Sequence, residues 1–137
     1  MPEASKPDLL ALYLAEERQR PFAWGQGNGD CLLFLLGWAE RAAGRMASVA
    51  WRGAYRDEAG ARMCLEAFGG APWAVCDVLG PPRMGSEARR GDVGLFETEG
   101  WHLGMICTGR LWVMRAHERG IRYARLKPEL VWSMGFA

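Results

Sequence analysis

"PFAWGQGNGDCLLFLLGWAERAAG", residues 21–44, decides how the chain folds. Its second half, from Cys31 to Ala43, is apolar nearly all round, with Leu32, Leu33, Phe34, Leu35, Leu36, Trp38 and Ala39 in succession. A helix with so little polar face belongs at the centre of a core, and Gly44 is a natural stop because glycine readily takes the left-handed conformation that closes a helix. Asp30 has a side chain preferred at a helix N-cap, where its carboxylate accepts backbone N–H groups of the first turn. The stretch therefore predicts a glycine-rich loop running into a central helix over residues 31–43.

At that junction Cys31 occupies the first helical position. Unpaired N–H groups and the helix dipole favour a thiolate there, so the expectation is a thiol pKa lowered toward physiological pH. Gly25, Gly27 and Gly29 would let the backbone approach a bound carbonyl. Backbone N–H groups near Asp30 and Cys31 could receive an oxyanion, and Gln26 could add a side-chain donor. The competing reading is packing, because free cysteine is among the most buried residue types. Cys64, Cys76 and Cys107 lack the loop-to-helix staging and read as core.

On the N-terminal side, "PDLLALYLAEERQR" repeats its apolar residues at three- and four-residue intervals, which predicts an amphipathic helix over residues 7–20. Asp8 suits its first turn, Arg18 and Arg20 its last, and Pro21 stops it. On the C-terminal side, "WRGAYRDEAGARMCLEAFGG" reads as a turn around Arg52 and Gly53 and then a third helix from Asp57 to Phe68. Pro72, Gly80, Pro81, Pro82 and Gly85 punctuate the next segment, which reads as loop with one short helical turn. From Gly91 the pattern changes. "DVGLF", "WHLGMIC", "LWVMRA", "GIRYARL" and "LVWSMGF" are short runs of strand formers separated by turn signals, as a small antiparallel sheet requires. Helices first and strands second give an α+β layout, with the sheet packed on the central helix. At 137 residues the chain is one domain, spanning 1–137.

A thiolate nucleophile needs a base, and the chain has two histidines. Alternation along "HLGMIC" puts His102, Gly104 and Ile106 on one sheet face and Leu103, Met105 and Cys107 on the other. Gly104 keeps the first face open to close approach by another segment, Cys31 included. If "TGRL" closes a two-residue hairpin turn at Gly109 and Arg110, His117 falls opposite His102 and could orient its imidazole. A slip of one residue would turn His117 to the other face, and both histidines also fit ordinary surface roles. The seven tryptophans could line a sugar or peptide groove, but most read as core or assembly surface. Arg52, Tyr55 and Arg56 could hold a carboxylate, and a helix-entry turn with solvated arginines accounts for them equally. Glu97 and Glu99 fall at a hairpin tip.

A net charge of +1 argues against a nucleic-acid binder, which needs a concentrated basic face. No segment reaches the roughly 20 apolar residues of a membrane span. The first 20 residues lack the features of a signal peptide, so the expectation is synthesis in the cytoplasm, with any export by another route such as assembly into a particle. Four scattered cysteines fit neither a zinc site nor a disulfide framework, and no metal is expected.

The loop and apolar helix resemble those of the NlpC-type cell-wall cysteine peptidases, in which an aromatic-x-x-Gly segment leads to Asp-Cys. "RRGDVGLF" followed by "WHLGMICTG" is similar to the next signature of that family, a Gly-Asp strand and then a strand beginning His-x-Gly. "WRGAYRDEAGA" and the terminal "VWSMGF" look like a subgroup encoded among phage tail genes. The resemblance implies a papain-like α+β fold, Cys31 as nucleophile, His102 as base, no cofactor, a peptidoglycan stem peptide as substrate and other tail proteins as partners. Separately from the resemblance, the expectation is a monomer when isolated. Four positions depart from the family pattern. Phe22 stands where a loop tyrosine is usual, Leu32 and Leu33 replace a small Ser-Gly pair, and Met114 takes the place of the third polar residue, with His117 three positions on. The departures leave open a second reading, a structural tail-tip protein that keeps the fold without turnover.

Overall fold

Asp8 caps the first helix, α1 (Leu9–Glu17), by accepting the Ala11 N–H at 3.0 Å. The computed structural model describes residues 8–44, 47–84 and 87–134. Pro7 as a helix start, the Gly85 turn and the end of "LVWSMGF" lie outside them. Helix α1 is shorter than its periodicity predicts. It closes at Glu17 with Arg18 as C-cap, because the chain must already turn there to bring Pro21 beside Arg119.

Helix α2 (Cys31–Ala43) matches the expected boundaries. Asp30 caps it through the Leu33 N–H at 2.9 Å, and Gly44 closes it with φ of 69°. Leu33, Phe34, Leu35, Leu36 and Trp38 are all buried. Each such side chain contributes about 1.5–3 kcal/mol of hydrophobic stabilisation. Helix α3 (Glu58–Phe68) ends where expected, at Gly69, and starts one residue later than expected, with Asp57 as its cap and not its first residue.

The segment read as loop is instead a fourth helix, α4 (Ala71–Leu79), followed by a two-residue strand, β1 (Arg83–Met84). Pro72 misleads as a breaker. It sits in the first turn of α4, where a missing N–H costs nothing, and Ala71, Ala74 and Val75 turn one apolar face inward.

The remaining strands are β2 (Val93–Thr98), β3 (Trp101–Cys107), β4 (Trp112–Arg115), β5 (Ile121–Ala124) and β6 (Leu130–Trp132). They form one antiparallel sheet in the order β1-β6-β2-β3-β4-β5. Glu99 and Gly100 make the β2–β3 turn, both with positive φ. Gly109 and Arg110 make the β3–β4 turn, and Cys107 pairs with Trp112, the register expected of a two-residue loop.

The two sheet faces separate cleanly. Val93, Leu95, Ile106, Val113 and Trp132 face α2 in the main core, while Met105, Cys107, Trp112, Met114 and Val131 form a second cluster on the far face. Met114 therefore points away from Cys31, and the position that the family pattern gives to a third polar residue cannot serve one here. Gly104 lets helix and sheet meet: a Cβ there would stand 2.5 Å from the Cys31 carbonyl oxygen.

Candidate active site

A cleft of about 180 Å³ opens where the N-terminus of α2 meets the start of β3. Cys31, His102 and His117 all line it. Trp24 and Trp101 stack at 6.1 Å between ring centroids and form an aromatic wall, and Phe22 sets its ring 5.1 Å from that of His117. Leu95 and Leu32 supply apolar floor, and Glu58 supplies a carboxylate. Gln26 does not line this cleft. It is exposed in the glycine loop, where its carbonyl accepts the Gly29 N–H at 3.0 Å, so the expected side-chain donor is misplaced.

Asp30 is a positioning group rather than a free acid. One carboxylate oxygen accepts the Leu33 N–H, and the other accepts the Gly25 N–H at 2.9 Å and the Tyr55 hydroxyl at 2.8 Å. These bonds fold the glycine loop back onto the helix start. Cys31 and Leu32, the first two residues of α2, line the cleft, at a helix start whose first N–H groups have no acceptor within the helix. Tyr55 is the residue that sequence reasoning undervalued. Its aromatic side chain was visible in "RGAYRD", but the carboxylate it binds belongs to this chain and lies 25 residues earlier.

The thiol of Cys31 behaves opposite to expectation. Burial pushes its pKa up to about 12, and the adjacent Asp30 carboxylate pushes in the same direction, while Arg115 and the Gly104 N–H pull against them without prevailing. A helix N-terminus favours a thiolate only where the charge is not desolvated beside a carboxylate. Cys31 thus rests as a neutral thiol.

His102 is half-buried, and its nearest charged partner is Glu97, directly across the β2–β3 ladder, with Oε2 3.9 Å from Nε2. That carboxylate attracts the ring whenever it carries a proton. The signal lay in the hairpin: a two-residue turn at Glu99 and Gly100 sets Glu97 against His102. His117 is exposed and lies beyond the end of β4. Among the described residues no hydrogen bond joins Cys31 to either histidine or His102 to His117. The same residues hold no cluster of three metal-ligating side chains and no helix long and apolar enough to cross a membrane.

A family model matches residues 4–134, nearly the whole chain. The chain belongs to the DUF6950 family, a domain of unknown function. No curated protein and no solved structure matches this DUF6950 chain. What its cleft offers chemically is a thiol at a helix N-terminus and two imidazoles within one aromatic-walled groove.

Proposed function

We propose that this DUF6950 protein is a papain-like cysteine peptidase of NlpC type, which cleaves peptidoglycan stem peptides and is carried in a phage tail. The observation that supports it is the gathering in one cleft of Cys31 with His102 and His117, which follow it by 71 and 86 residues. Substrate and tail location rest on the resemblance of the glycine loop, the Gly-Asp strand and the His-x-Gly strand.

In this reading His102 takes the Cys31 proton as the sulfur attacks the scissile carbonyl. The oxyanion is held by N–H groups at the start of α2, and His102 returns its proton to the leaving amine. Water then attacks the thioester, regenerating the thiol and releasing the acid. Glu97 steadies the imidazolium between the two proton transfers.

The test is hydrolysis of purified muropeptides by the wild type, Cys31→Ser and His102→Ala. The expected result is loss of turnover in the serine variant and a fall of about 10²–10⁴-fold without the base. Absence of wild-type hydrolysis would overturn the peptidase reading. The high pKa of Cys31 favours a second reading, a tail-tip protein that keeps the fold without turnover. Its mark would be incorporation into particles unaffected by Cys31→Ser together with no hydrolysis.

A further inference from the structure

The cleft's two flanks come from distant parts of the chain, and one buried guanidinium holds both. Arg115 ends β4, on the strand face that looks toward α2. Its Nη2 and Nε converge on the Asn28 carbonyl oxygen at 2.9 and 3.2 Å. Its Nη1 donates to the carbonyls of Glu17 at 2.9 Å and Gly120 at 3.0 Å. Nη2 also meets the Glu17 carboxylate, and both side chains are fully buried.

Two of those carbonyls, those of Asn28 and Gly120, belong to segments that bear cleft-lining residues. Asn28 stands two residues before Asp30. Its side-chain oxygen is held from the other side by Arg52 at 2.7 Å, in a slot against Gly37 where a Cβ would come within 2.1 Å. Gly120 closes the turn that carries His117, and its carbonyl also accepts the Ala116 N–H at 2.9 Å. Glu17 anchors the pair to the end of α1.

We infer that Arg115 is a positioning residue: by fastening Asn28 and Gly120 to one rigid guanidinium, it fixes the separation between Cys31 and His117 across the cleft. The inference rests on the cleft being a site of thiol chemistry. A buried ion pair is a poor device for stability alone, since desolvation offsets most of its attraction. The planar fork, by contrast, aims several donors at fixed angles, which a lysine cannot do. The same positive charge works against the Asp30 carboxylate at the Cys31 sulfur.

Two variants test this, Arg115→Lys and the double Glu17→Met/Arg115→Met, which removes both charges and strands neither. In each, folding is checked by near-UV circular dichroism. Alkylation of Cys31 by iodoacetamide is followed against pH by peptide mapping, and kcat and KM are measured on muropeptides. Arg115→Lys is expected to lower kcat about 10–100-fold with KM little changed, because misplacement by an ångström is enough for such a loss. The double variant is expected to move the Cys31 alkylation profile to higher pH. A folded variant with wild-type kcat and a wild-type alkylation profile would overturn the inference. If the wild type hydrolyses nothing, the peptidase reading falls and the alkylation profile alone decides the role of Arg115.

Discussion

Tyr55 donates its hydroxyl to the Asp30 carboxylate at 2.8 Å, so the turn before α3 and the cap of α2 are held by one bond. Asp30 is buried, and so is Tyr55. Hydrogen bonds to a buried charge are worth more than neutral ones, and Tyr55→Phe should cost about 1.5–3 kcal/mol. The measurement is urea unfolding of wild type and variant. A lower midpoint with an unchanged slope is expected, and an unchanged midpoint would show that Asp30 is satisfied without the phenol.

The Cys31 thiol gives a pH dependence of defined sign. Its folded pKa, about 12, lies above the usual 9.0, so the unfolded chain loses the proton first as pH rises. Stability from the neutral thiol is complete below about 9 and drains as pH climbs toward 12. Tyr55 and Tyr13, also raised by burial, add to the alkaline loss, so the comparison is wild type against Cys31→Ala. The alanine variant should show a shallower fall across that window.

Chemical labelling reads the same group directly. Three pH units between the usual and the folded value imply roughly 10³-fold less thiolate at neutral pH, and alkylation of Cys31 slower in proportion. Asp30→Asn removes a negative charge beside the sulfur and should shift the labelling profile to lower pH. A profile unmoved by that substitution would leave burial as the whole cause.

The parts of the molecule governed by local rules were legible in the sequence. Asp30 and Gly44 bracket α2 because an acidic cap and a left-handed glycine are nearest-neighbour effects, and Gly109 sets the β3–β4 register for the same reason. Helix α4 was missed because Pro72 counts as a breaker unless it is known to sit in a first turn. The thiol pKa was misjudged because the helix dipole can be inferred from position, whereas desolvation depends on what the sheet brings down onto Cys31. The partners of Glu97 and Tyr55 were not legible for a related reason. Each acquires its role only when strand pairing or chain reversal sets it against His102 or Asp30.

Leu35 tests the centrality of α2. It is completely buried on the helix face that meets Gly104, and its truncation leaves a cavity between helix and sheet. Leu35→Ala should cost about 2–5 kcal/mol. Leu12, half exposed on α1, should cost far less when changed to Ala. Equal losses at the two sites would contradict a core centred on α2.

Gly104 governs how closely α2 approaches the sheet. Its absent side chain is filled by the Cys31 carbonyl, 2.5 Å from where a Cβ would stand, and by Leu35 Cβ at 3.2 Å. The first obstacle is backbone in the opening turn of α2, so it cannot swing aside as a side-chain tip would. Gly104→Ala must therefore lift the start of α2 or bend β3, at about 1–3 kcal/mol. The displacement also carries Cys31 away from the Gly104 N–H and loosens the packing that desolvates its sulfur. Thermal unfolding should show a lowered Tm, and iodoacetamide should label Cys31 faster at pH 8 than in the wild type. A destabilised variant whose Cys31 stays as slow as before would mean that β3 yields and the helix start does not.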